Sequence, residues 1–166
     1  QMGTFALLPQ LVKVLRVPVI AAGGIADAAG VRAAMALGAA GVQVGTAYLC
    51  SDEALTSPLH RAALQSAAAR HTALTNLFTG RPARGIVNRL MRELGNADAE
   101  HFSTGLGAVA PAFPLATNAI GPLRAAAEKA GRTDFTPLWS GQNASGCRTG
   151  SATEITQALA RGFDKG

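Results

Sequence analysis

Three glycines and a threonine, Gly23, Gly24, Gly45 and Thr46, stand where an anion could be gripped. Each pair closes an apolar run, Pro18-Val-Ile-Ala-Ala-Gly-Gly-Ile-Ala-Asp27 in one case and Gly41-Val-Gln-Val-Gly-Thr46 in the other. Glycine has no Cβ, so its backbone can approach an anion closely and adopt positive φ. Thr46 can donate a hydroxyl hydrogen bond, and the side-chain amide of Gln43 suits the edge of a heterocycle. A helix starting at Asp27 would add unpaired N–H groups and a favourable dipole for phosphate. Gly-Gly alone after a strand makes only a tight turn. Followed by Gly-Thr one crossover later, it points to a phosphate held at strand ends.

These residues need a scaffold, and the neighbouring sequence describes one. Val17 to Ala22 is a continuous apolar run, as expected of a strand covered on both faces in a parallel sheet. Asp27 is a natural N-cap, and Val31, Ala34, Met35 and Gly38 share one face of the helix behind it. Gly38 or Gly41 can end that helix in a left-handed turn. Val42 and Val44 then flank Gln43 in a second short strand closed by Gly45-Thr46. Strand, helix and strand make a right-handed βαβ unit.

The remaining chain reads mainly as helices. Thr4 to Leu15 has helical spacing, with Pro9 acceptable near a first turn. A helix is expected from Pro58 to Arg70. The turn Thr79-Gly-Arg-Pro-Ala-Arg-Gly85 precedes a helix holding Ile86, Leu90 and Leu94. Gly95 to Pro114 reads as an irregular excursion, and Gly121-Pro122 starts a helix ending at Gly131. Ser151 and Glu154 form a capping box for a last helix carrying Ile155 and Leu159. Two parallel strands cannot bury both their faces, so the chain reads as the later part of a larger sheet or barrel.

Bulk properties narrow the class. The 166 residues are 48% hydrophobic and 15% charged, which suits a folded α/β protein with an aliphatic core. No apolar run reaches the ~18 residues a membrane helix needs, and no charged leader precedes Phe5. The first helix begins at once, as if cut inside a larger fold. The net charge of +5 invites nucleic acid, but the basic residues are dispersed and no aromatics interleave them. Cys50 and Cys147 have no C-x-x-C spacing and suit reduced thiols in a cytoplasmic protein. With three scattered histidines they do not make a zinc site.

The run VPVIAAGGIADAAGVRAAMALGAAGVQVGTAYL closely resembles the nitronate monooxygenases, also called 2-nitropropane dioxygenases. HTALTNLFTGRPARGIVNRLM, FPLATNAIGPLRAAA and LWSGQ follow in the same order, so the likeness spans nearly the whole chain. The resemblance implies the C-terminal portion of an FMN-binding (β/α)8 TIM barrel with an added helical segment. Residues 1–73 would be the last barrel elements, 74–138 a family-specific helical and loop segment, and 139–166 a segment returning to the barrel. The implied activity is oxidation of alkyl nitronates or nitroalkanes with O2 to a carbonyl compound and nitrite. Small molecules are the implied partners, a homodimer is among the expected assemblies, and neither nucleic acid nor membrane is expected.

Carried over position by position, the resemblance sets Gly23 and Gly24 against the FMN phosphate. It sets Gln43, Val44, Gly45 and Thr46 along the phosphate and ribityl chain, with Ala22 lining the same pocket. Trp139, Ser140, Gly141 and Gln142 match a late W-[AS]-G-Q segment that comes back toward the cofactor. Trp139 is also read as a core anchor, and Arg81 and Arg84 as solvated loop arginines that could instead meet an anion. The family's catalytic histidine lies in a Glu-Ala-Gly-Gly-His stretch expected upstream of Gln1, so no catalytic base is assigned here. His60, His71 and His101 are expected in structural or surface roles. Some relatives carry a Tyr and a Lys where this chain has Thr117 and Gly121, implying different substrate handling. Two other readings share the cup. One is an FMN-dependent enoyl-acyl-carrier-protein reductase or NAD(P)H:quinone reductase; the other is a catalytically incomplete barrel fragment.

Overall fold

The computed structural model describes residues 2–94 and 110–164. Along these run α1 (Thr4–Val14), β1 (Ile20–Ala22), α2 (Ala28–Ala36), β2 (Gly41–Gln43) and α3 (Pro58–Leu64), then β3 (Thr72–Thr75), β4 (Ala83–Ile86), α4 (Arg89–Leu94), α5 (Leu115–Lys129) and α6 (Ala152–Ala160). Short 3-10 turns lie at Thr46–Cys50, Ala67–Arg70 and Ala144–Gly146. The chain divides into two compact units, Gln1–Thr56 with Gly141–Gly166, and Ser57–Ser140.

The first unit holds the expected βαβ arrangement. β1 and β2 are parallel, with Ile20 opposite Gly41, Ala21 opposite Val42 and Ala22 opposite Gln43. The α2 helix joins them, capped by Asp27, whose Oδ1 accepts the Gly30 N–H at 2.8 Å. Val31 and Ala34 are fully buried on its inner face. Gly38, at φ +94°, ends it in the left-handed turn. Leu8 of α1, Ala21, Ile25 and Ala47 pack with Ile155 and Leu159 of α6 into one core. The Ser151 hydroxyl accepts the Glu154 N–H, and Glu154 accepts the Ser151 N–H, completing the capping box. The Ser151 N–H, and its hydroxyl donating as well, hold the Glu154 carboxyl below its ordinary pKa.

Two expectations for this unit change. The strand is shorter than the apolar run, and only Ala21 is buried in it while Ile20 is 54% exposed. Continuous hydrophobicity records which residues tolerate burial, not how much of it this chain supplies. Pro9 sits inside α1 rather than in its first turn. Its missing N–H removes one helical bond, the one the Phe5 carbonyl would accept.

The second unit departs further. Ser57 caps α3 with Pro58 at the first helical position, but the helix stops at Leu64, where Ser66 starts a separate 3-10 turn. β3 and β4 form an antiparallel hairpin, Thr72 opposite Ile86 and Thr75 opposite Ala83, which the sequence reading missed. Ile86 therefore ends a strand instead of lying in a helix, and α4 begins at Arg89. Four-residue strands with little alternation carry almost no periodic signal. The α5 helix begins at Leu115, so Pro122 is interior rather than early. Leu77, Phe78, Leu90 and Met91 form this unit's core. The expected excursion from Gly95 lies largely outside the described residues. Among the described residues, no helix is long and apolar enough to cross a membrane.

Candidate functional site

Parallel pairing decides where the glycine-ended loops go. Since Ala22 lies opposite Gln43, both strands finish at the same edge, and the residues after them emerge side by side. Gly23 and Gly24 are both left-handed, at φ +103° and +76°. Two such residues in succession are open to glycine and strained for any other residue. A Cβ built on Gly24 or Gly45 would meet no atom within 4 Å, so the backbone there is open on that side. Ala22, Gly23, Gln43 and Gly45 are exposed, Gly24 and Thr46 half-buried, and Val44 packs against the core.

A third segment closes on these two loops. The Gly141 N–H donates to Thr46 Oγ1 at 2.9 Å, leaving the threonine its own proton to give to a ligand. A Cβ on Gly141 would lie 3.3 Å from Thr46 Oγ1 and 3.9 Å from the Gly24 nitrogen. Gly24, Thr46 and Gly141 therefore converge. Two further residues brace the first loop through its carbonyls. The Thr4 hydroxyl donates to the Ala22 carbonyl at 2.9 Å, and the Asn143 side-chain amide donates to the Gly24 carbonyl at 3.2 Å. Sequence reading missed both. Neither type is unusual in its local context, and the pairing emerges only when distant segments meet.

Other singled-out residues fall elsewhere. Gln142 is exposed in the first unit. Trp139 belongs to the second unit, where its ring stands edge-on to Phe78 with centroids 5.5 Å apart, the core-anchor role. Ser140 is buried, its N–H donating to the Arg84 carbonyl. Arg84 Nη1 donates to the Thr72 carbonyl, and Arg81 lies over the Phe113 ring, 4.3 Å from its centroid. Both arginines thus have structural partners.

His60 is half-buried, with Nε2 3.0 Å from the Trp139 carbonyl, and burial lowers its pKa against the opposing pull of that hydrogen bond. His71 is exposed, and His101 lies outside the described residues. The Thr117 hydroxyl donates to the Phe78 carbonyl. With Gly121, Arg124 and Trp139 it lines a cavity of about 430 Å³ in the second unit. Cys50 and Cys147 form no disulfide, and burial pushes the Cys147 pKa up to about 11.

The chain can now be set beside known proteins. A probable nitronate monooxygenase of Staphylococcus saprophyticus is 41% identical over 141 residues, 85% of this chain and 37% of that protein. The corresponding Staphylococcus aureus protein is 40% identical over the same share. The chain therefore spans well under half the length of these curated relatives. Among solved structures, nitroalkane oxidase from Streptomyces ansochromogenes matches with a TM-score of 0.79 at 39% identity, covering 96% of this chain and 43% of that one. FabK from Thermotoga maritima matches with a TM-score of 0.73 at 27% identity, covering 98% and 49%. The family model described as nitronate monooxygenase matches residues 1–162, and the chain belongs to that family.

Proposed function

We propose that this chain carries the FMN-phosphate site of a flavin-dependent enzyme that oxidises alkyl nitronates with O2 to a carbonyl compound and nitrite. The observation that carries the reading is the convergence of Gly24, Thr46 and Gly141 beside two parallel strand ends. Bare backbone at consecutive left-handed glycines beside a hydroxyl with a spare proton suits a phosphate monoester. Gly23, Gly24 and Thr46 would hold that group, while Ala22, Gln43, Val44 and Gly45 would line its extension. Bound flavin would supply the two-electron chemistry, and the protein its binding and orientation. The base would come from a histidine outside this sequence. Residues 1–73, in this reading, are the closing elements of a (β/α)8 barrel in a cytoplasmic enzyme.

The greater similarity to nitroalkane oxidase supports nitronate oxidation over the reductase reading, with which the likeness to FabK is compatible. Anaerobic mixing separates the two. Bleaching of the flavin by nitronate alone is expected, and bleaching by NAD(P)H would favour a reductase.

The phosphate assignment is tested by visible absorption of the purified protein. Wild type should carry a flavin band. Gly24→Val, which places a β-branched residue at positive φ, should lose it. Thr46→Ala should weaken FMN binding about tenfold through the lost hydroxyl contact. A folded Gly24→Val protein that still purifies yellow would show the cup to be misassigned.

A further inference from the structure

A second concave site lies in the first unit and shares no residue with the glycine-ended loops. It is a groove of about 640 Å³, within the range of small-molecule sites. Arg32 of α2, Arg148 and Arg161 all line it. Their guanidinium groups make no hydrogen bond or ion pair among the described residues. Two carboxylates also stand in its wall, setting two formal negative charges against the three arginines, and each is held by neutral donors. Asp27 Oδ1 accepts the Gly30 N–H at 2.8 Å, and Glu154 Oε2 accepts both the N–H and the hydroxyl of Ser151 at 2.9 Å. Some arginines elsewhere have carboxylate partners: Arg89 pairs with Glu93, and Arg124 with Glu128. Three without partners around one hollow are therefore a concentration of unspent donors. The hollow also has an accessible apolar side, from Ala28, Ala29 and Ala158.

We propose that this groove binds a small organic anion with two linked phosphates, its diphosphate bridged by Arg32, Arg148 and Arg161. Its non-phosphate part would lie against Ala28, Ala29 and Ala158. Guanidinium groups suit the task because each offers a planar fork of donors matched to phosphate oxygens. Two linked phosphates, rather than one, match a charge spread over three side chains from α2, the loop at Arg148 and the end of α6.

The test is calorimetric titration of the protein with pyrophosphate at constant ionic strength, with and without saturating FMN. Saturable binding is expected in both conditions, with sulfate much weaker. Arg148→Gln and Arg161→Gln should each weaken it about tenfold, the scale of a charged hydrogen bond. Arg148→Lys, which keeps the charge but loses the fork, should fall between. All three arginines are exposed, so the variants should melt with wild type, and a melting curve checks this. Absence of saturation, equal affinity in the glutamine variants, or displacement of pyrophosphate by FMN would each overturn the proposal. Displacement would instead put the anion at the glycine-ended loops.

Discussion

At the scale of single residues, His60 makes the sharpest statement about pH. It is half-buried against the Trp139 carbonyl, and desolvation lowers its pKa below the ordinary 6.5. In the unfolded chain the imidazole regains its ordinary value and binds a proton first as pH falls. Stability from this residue is therefore fully present above pH 6.5 and declines as pH falls through the lowered folded value. Thermal melting between about pH 7.5 and 5 should show a downward slope that His60→Gln reduces, since the glutamine amide cannot titrate. Identical slopes would remove His60 from the account. Sequence alone read this histidine as structural or surface, because nothing local shows the carbonyl it meets 79 positions away. The glycines were easier. Gly23 and Gly24 stop an apolar run, and the left-handed backbone they adopt is one few other residues permit.

At the scale of elements, legibility followed the strength of the local signal. Capping residues act within three or four positions, so Asp27 and Ser151 mark the starts of α2 and α6. Asp27→Ala should cost about 1 kcal/mol, measurable by denaturant unfolding, because the Gly30 N–H then loses its acceptor. A cost near zero would mean that water caps that end equally well. Prolines misled in both long helices. Pro9 and Pro122 read as early positions, yet α1 and α5 run through them. Tertiary packing offsets the lost bond: Leu8 beside Pro9 is buried, as is Ala127, one turn beyond Pro122. The β3–β4 hairpin was illegible for a different reason. Its four-residue strands are too short to show alternation, and the bridge from Gly85 to Trp139 spans 54 positions, so no spacing within the strand announces either.

At the scale of the whole molecule, two units each bury their own apolar core. In the second, Met91 is completely buried among Leu77, Phe78 and Leu90. Met91→Ala should lower stability by about 2–5 kcal/mol, and a separate unfolding transition should shift with it. If the change moves only a single common transition, the units unfold together. The βαβ layout of the first unit was legible because its strands, cap and glycines follow one another within thirty-odd positions. Its bracing residues were not, because they come from both ends of the chain.

That last point bears on the order in which the protein is made. Gly141 and Asn143 reach Thr46 and Gly24 across 95 and 119 positions. A ribosome delivers both glycine-ended loops well before these two partners, and until then only the Thr4 contact braces the first of them. Cofactor capture at this cup would then wait on the segment that carries Gly141 and Asn143. A chain stalled before Gly141 would stay colourless.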